Sequence, residues 1–348
     1  MNALVLGATG HLGNALTREL LARGWEVTAT SRRDIRARNL VGLPVRFRTG
    51  DACRPGQLHE WIRGHELVVD AAAPYHLRLG LGAQGLEAVR LAENRMETLL
   101  ASVARHGACL AYVSSFTTLA RPRPLLDAVQ ADALRQLHPY FEMKRVMECR
   151  VRVAARNGLR AVIVNPTICL GPWDLKPPPF CLIPLALQGR LPATTGHAVN
   201  VIDVRDVASA TVTAVVQDRF GDPIELSGHN TTVDGLVAAV CRLGGTRPPR
   251  LSTSAHLSAF VSYGNEVLSS FGLSPVDYPS LGMLALLEQR WRAPGRMQRD
   301  LGVRLLPLSR TLAESIDWYR AIGYLDRPST EPAEAGRARP PGHGATAT

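Results

Sequence analysis

The chain has 348 residues, enough for one large α/β domain or a cofactor domain with a smaller lobe. Its apolar fraction is 46%, and no uninterrupted apolar run approaches the length of about 18 residues that a membrane span needs. The formal charge of +10 comes from arginines spread along the chain, with lysine only at Lys144 and Lys176, so it suits a phosphate-rich small molecule better than nucleic acid.

The N-terminus runs straight into strand-like MNALVLG without a basic segment or cleavage site, so no secretory signal is expected. Cys53, Cys109, Cys149, Cys169, Cys181 and Cys241 are scattered without a CxxC pair. They fit a reducing, cytoplasmic setting with mostly buried thiols.

Short apolar runs then alternate with amphipathic stretches, the pattern of a parallel sheet wrapped by helices. Residues 2–7 read as the first strand, followed by a helix to about residue 23 and a second strand at 25–30. Residues 43–48 give the third strand and 65–73 the fourth. A helix over 84–106 leads to the fifth strand at 108–115. Pro139 opens the next helix, since a first-turn proline forfeits no needed N–H. That helix runs to about Asn157, and 159–165 is the sixth strand.

After Pro166 the texture becomes proline-rich, with GPWDLKPPPF reading as loop. The expected fold is a Rossmann doubly wound α/β sheet over 1–165, with a smaller mixed substrate lobe over 166–325. A strand at 222–228 returns to the sheet, and 326–348 reads as a disordered tail. No internal repeat is visible.

Gly7, Ala8, Thr9, Gly10, His11, Leu12 and Gly13 place glycines at a G-x-x-G-x-x-G spacing between the first strand and its helix. Glycine permits the tight turn, backbone N–H groups can approach a pyrophosphate, and the helix N-terminus favours an anion. The second strand ends in Thr30-Ser31-Arg32-Arg33 rather than in an acidic residue. Arginine there suits a 2′-phosphate, so NADP(H) is favoured over NAD(H).

Tyr140 and Lys144 lie four apart and so share one helical face. Reduction of a carbonyl needs a proton at the forming alkoxide, and a nearby ammonium stabilises the phenolate that donates it. Ser114 and Ser115 end the fifth strand, at the sheet edge where ligands sit. Ser115 is the expected hydroxyl beside Tyr140, with Ser114 turned to the opposite face.

At these residues the sequence resembles the extended short-chain dehydrogenase/reductase (NAD-dependent epimerase/dehydratase) family. GATGHLG, VSS, YFEMK and NPTICLGPWD fall in that family's order. RARNLVGLPVRFRTGD, VNVIDVRDVASA and LAESIDWYRAIGYL bring it closest to dihydroflavonol-reductase-like enzymes and hopanoid-associated sugar epimerases. The resemblance covers residues 1 to about 325. It implies that Asp51 contacts the adenine and that Ala71, Ala72 and Ala73 line the nucleotide path. It further implies that Asn165, Pro166 and Thr167 approach the nicotinamide, with Tyr140 as general acid/base and Lys144 gripping the ribose. The family's helical asparagine falls at Ala92, with Asn94 two residues on, and the glycine-rich 75–85 segment is a further departure.

The histidines, His59 and His65 among them, show no metal-ligand spacing, and no G-x-S-x-G elbow marks a hydrolase. Asp203 and Asp206 fit a helix start. Trp173 and Asp174 fit either a packed loop or the border of the substrate. The leading reading is an NAD(P)-dependent reductase of a medium-sized, fairly apolar specialised metabolite, acting on a carbonyl or a conjugated C=N or C=C. A nucleotide-sugar epimerase or dehydratase with retained NAD is one alternative, although no acidic pair follows Ser115. A non-catalytic NADP(H)-binding regulator is another. The expected partner is a small-molecule substrate, with homodimerisation left open.

Overall fold

The computed structural model describes residues 1–32, 39–72, 83–119, 139–175, 177, 181–253 and 296–325. Ala73, most of the glycine-rich 75–85 segment, Lys176 and the expected tail lie outside them. The strands are β1 (Asn2–Leu6), β2 (Glu26–Ser31), β3 (Val45–Thr49), β4 (Leu67–Asp70), β5 (Cys109–Val113), β6 (Ala161–Pro166), β7 (Ile168–Leu170), β8 (Thr194–Thr195), β9 (Ala198–Asp203), β10 (Pro223–Leu226), β11 (His229–Thr232) and β12 (Ser252–Thr253). The helices are α1 (His11–Ala22), α2 (Pro55–Ile62), α3 (Ala83–His106), α4 (Pro139–Arg156), α5 (Leu182–Leu187), α6 (Val204–Val216), α7 (Val233–Gly244), α8 (Arg296–Leu301) and α9 (Leu308–Ala321).

Seven strands form one sheet in the order β10-β6-β5-β4-β1-β2-β3, every neighbouring pair parallel. Strands buried on both faces must be apolar throughout, which is why Ala3, Leu4, Val5 and Leu6 are all sealed from solvent. Ala3 and Val5 join one core with α1, α6 and α8, while Leu4 and Leu6 join another with α2, α3 and α4. The chain's alternation of strand and helix is thus the doubly wound, Rossmann-type arrangement that the sequence pattern implies.

The third strand begins at Val45, two residues later than expected, because Pro44 has no N–H to give the ladder. The fourth covers only Leu67–Asp70, since Ala71 already leaves the sheet at its carboxyl edge. The strand at Pro223–Leu226 joins the sheet beside β6.

A third core lies between α5, α7, α9 and the three-stranded β11-β9-β7 sheet, with Val201, Val237, Ile316 and Tyr319 at its centre. The stretch Val204–Val216, expected within the second lobe, packs against α1 on the main sheet. There Arg23 donates to the Ser209 carbonyl and the Thr213 hydroxyl. Asp203 caps α6 by accepting from Arg205 N, and its other oxygen accepts from Thr311 Oγ1 on α9 at 2.7 Å. Asp206 accepts from Leu306 N at 3.0 Å, so both aspartates do structural work. Among the described residues no helix is long and apolar enough to cross a membrane.

Candidate active site

The strand order reverses between β1 and β4, and open α/β sheets bind ligands in the crevice at such a point. Leu6 pairs with Asp70, so Gly7 emerges beside Ala71 and Ala72. Gly7 has a left-handed φ of 76°, and a Cβ on it would come within 2.9 Å of Ala72 Cα. A Cβ on Gly13 would meet the Gly7 carbonyl oxygen at 2.1 Å, so α1 can seat itself only with glycine there. Gly10, at the N-cap, donates to Gly7 O at 2.9 Å.

The first N–H groups of any helix lack intrahelical partners, and α1 has no acidic residue in its first turn to claim them. His11 Nε2 is buried with no hydrogen-bond partner among the described residues. A pyrophosphate fits this donor-rich, acid-free turn, with Gly10, His11, Leu12 and Gly13 as the residues that would hold it.

At the far end of the crevice Ser31 pairs with Thr49, which sets Arg32 next to Gly50 and Asp51. Arg32 is exposed, and Ser31 Oγ lies 3.3 Å from Thr9 Oγ1. Asp51 is half-buried and accepts from Cys53 N at 2.9 Å. Asn39 closes the turn from outside, its amide donating to both Thr9 O and Trp173 O. Trp173 adopts a φ of 75° and lies under the Arg18 guanidinium at 4.5 Å, a packed loop position.

On the other side of the crevice, Val113 pairs with Val164, so Ser114, Ser115 and Asn165 come together at one edge. Ser114 donates to Glu148 Oε2 at 2.5 Å, while Ser115 Oγ accepts from Thr117 N at 3.3 Å. Tyr140 and Lys144 are 6% and 4% exposed on the same face of α4. Lys144 Nζ donates to Val113 O at 3.0 Å, directly before the two serines. Burial pushes the Lys144 amine down to about 8, against the pull of the Asp70 carboxylate.

Asn165 donates through Nδ2 towards Ser115 O, Thr118 Oγ1 and Glu148 Oε2, while its buried Oδ1 has no partner among the described residues. Pro166 ends β6, and Thr167 turns its hydroxyl into the second lobe, donating to Asn200 Oδ1 at 2.8 Å. Cys169 is pushed by burial up to about 12, which leaves it a thiol rather than a nucleophile.

Three residues that sequence reasoning passed over belong to this edge. Asp70 and Arg95 form a buried pair, and Glu148 stands one turn beyond Lys144. Glu148 shares the face of Tyr140 and Lys144, a spacing visible in the sequence. Ala92 is buried in the core and Asn94 is exposed, so neither fills the asparagine role. His59 stacks on His106 at 4.6 Å and His65 meets Thr28 Oγ1, apart from any candidate metal cluster among the described residues.

The sequence profile of the NAD dependent epimerase/dehydratase family matches residues 3–226. The chain belongs to this family. The Sterol demethylase protein B of Methylococcus capsulatus is 29% identical over 93% of this chain and 100% of its own. The Dihydroflavonol 4-reductase of Zea mays is 27% identical over 68% of this chain and 72% of its own. The crystal structure of UDP-glucose 4-epimerase from Bifidobacterium longum in complex with NAD+ and UDP superimposes with a TM-score of 0.69. It is 17% identical and covers 93% of this chain and 100% of that one, so it speaks for the shared fold.

Proposed function

We propose that this family member is an NAD(P)H-dependent reductase acting on the carbonyl, or a conjugated C=N or C=C, of a medium-sized apolar metabolite. The observation that carries the reading is the buried ammonium of Lys144, bonded to Val113 O and thereby held beside Ser115 and on the face of Tyr140. A buried amine is costly unless it has a task, and here it lies across the crevice from the glycine turn. The Zea mays relative named a reductase favours the same chemistry.

A bound dihydronicotinamide would supply the hydride. Ser115 would polarise the substrate oxygen with its hydroxyl, and Tyr140 would give that oxygen its proton. The positive charge of Lys144 would stabilise the phenolate left behind and bond the ribose of the cofactor. Gly7, Thr9, Gly10, His11, Leu12 and Gly13 would hold the pyrophosphate, with Ala71, Ala72 and Ala73 along the path. Asp51 would meet the adenine, and Asn165, Pro166 and Thr167 the nicotinamide end. Arg32 favours NADP(H). The scattered thiols suit a cytoplasmic setting, and the lobe within 166–325 would shape the substrate side.

The test begins with the purified protein, denatured to look for released nicotinamide. An empty site that binds NADPH and consumes it with a panel of apolar ketones supports the reductase, and retained NAD points to the epimerase instead. Tyr140→Phe is expected to remove turnover while NADPH still binds. A fully active Tyr140→Phe enzyme defeats the assignment.

A further inference from the structure

Lys144 sits among charges and polarisable groups from several elements. Asp70 ends β4, Arg95 comes from α3, Glu148 follows on α4, and Cys169 lies on β7. The Tyr112 ring of β5 is 5.7 Å from Nζ. Burial works against the ammonium, and so does Arg95, whereas Asp70 and Glu148 favour it. Asp70 pulls hardest on Nζ, and Arg95, bonded to it through two hydrogen bonds, opposes part of that pull. Glu148 takes only neutral donors among the described residues, and its charge is therefore uncancelled there.

Those donors are themselves informative. Ser114 Oγ and Thr118 Oγ1 each lie 2.5 Å from Glu148 Oε2, and Asn165 Nδ2 lies 2.7 Å from it. Glu148 Oε2 is thus the point where groups from the ends of β5 and β6 meet α4. Asn165 Nδ2 is also 3.0 Å from Ser115 O, and Thr118 Oγ1 is 2.8 Å from the same carbonyl. The Thr118 proton can serve one of its two acceptors at a time, so the second bond there is electrostatic support. Glu148, only 3% exposed on α4, thus holds Ser114 directly and reaches the Ser115 carbonyl through Thr118 and Asn165.

We propose that Glu148 is a positioning residue for Lys144 and Ser115 together. Its side chain ties the ends of β5 and β6 to α4 through Ser114, Thr118 and Asn165, and from one helical turn beyond Lys144 it adds negative charge on that residue's own face. The catalytic consequence rests on the reductase reading, while the charge relation belongs to the free protein.

With lysine only at 144 and 176, ε-13C-lysine labelling gives two resonances, and Lys176→Arg assigns them. Titration of the full chain without substrate or cofactor then reads Lys144 directly, with an expected midpoint near pH 8. Glu148→Gln keeps an oxygen acceptor but removes the charge, and its midpoint is expected about one pH unit lower. Glu148→Asp keeps the charge one methylene further off and is expected to fall between the two. NADPH affinity, followed by fluorescence, should change by less than about twofold in Glu148→Gln, which a collapse of the crevice would not allow. An unchanged midpoint in Glu148→Gln overturns the proposal. So does a wild-type midpoint well below 7, which needs no variant to fold. Turnover plays no part in these readings, so failure of the reductase assignment through Tyr140→Phe is a separate result.

Discussion

Arg95 on α3 grips Asp70 at the end of β4 with hydrogen bonds of 3.0 and 2.6 Å, and both side chains are 2% exposed. Burial alone would raise the Asp70 carboxyl, but the guanidinium more than offsets it and leaves the group below its ordinary 3.8. Truncating one member of such a pair strands a charge in the interior, at a cost of about 3–5 kcal/mol. Arg95→Met is therefore expected to lose that much unfolding free energy in urea at pH 7, and Asp70→Asn combined with Arg95→Met to lose less. The stability given by the pair is present above pH 3.8 and is lost as the pH falls through the lower folded value. Wild type should lose stability below pH 3.8 more steeply than Arg95→Met, and parallel acid profiles would contradict the account.

Lys144 responds to alkali in the opposite region. Its folded value of about 8 lies below the ordinary 10.5, chiefly through burial, so the unfolded chain holds the proton more tightly. Below pH 8 both states are protonated and the full cost of the buried charge is felt. Above pH 10.5 both are neutral and the cost is gone. Wild type should gain on Lys144→Met by about 3 kcal/mol as the pH rises across that window. Urea unfolding of both proteins at pH 7, 9 and 10.5 measures this, and a constant difference between them rejects it.

The sheet was legible because strands covered on both faces must read as continuous apolar runs, as ALVL and LVV do. Tyr140 and Lys144 were legible because helical spacing alone puts them on one face. Glu148 continues that spacing, but in MECRV it reads as an ordinary surface charge, so the spacing alone gives it no role. Its donors Ser114, Thr118 and Asn165 lie 34, 30 and 17 residues away. Arg95 was hidden for a related reason, because composition does not tell one buried arginine from the many solvated ones. The packing of Val204–Val216 on α1 depends on where the chain crosses back, which no local pattern encodes.

Two glycines of the turn separate stability from binding. A methyl on Gly13 would press on the Gly7 carbonyl at 2.1 Å, so Gly13→Ala must displace α1 from β1. A methyl on Gly10 would meet that same oxygen at 3.3 Å, a contact relieved by a few tenths of an ångström. Gly13→Ala is expected to lose NADPH binding and to melt earlier. Gly10→Ala should melt near wild type yet bind NADPH at least about tenfold more weakly, because its methyl would enter the space proposed for the pyrophosphate. Thermal melts paired with fluorescence titration decide the matter. Unimpaired binding by Gly10→Ala would remove the turn from the cofactor site.

The choice between nucleotides turns on Arg32 and its neighbour across the strand ends. The pairing of Ser31 with Thr49 leaves the exposed Arg32 beside Asp51, a cation and a carboxylate at the same end of the crevice. Asp51 spends part of its acceptor capacity on Cys53 N, and Ser31 Oγ stands near Thr9 Oγ1, whereas the Arg32 guanidinium faces solvent. A 2′-phosphate would gain a charge-assisted, two-donor contact from that guanidinium, and a 2′-hydroxyl would gain little. Arg32→Ala is accordingly expected to weaken NADPH by about tenfold or more and NADH by less than about twofold. The proposed preference for NADPH should also shrink as salt is raised, since an exposed ion pair is screened. Equal losses for the two nucleotides would mean that Asp51 reads the ribose instead, and NADH would then be the natural partner.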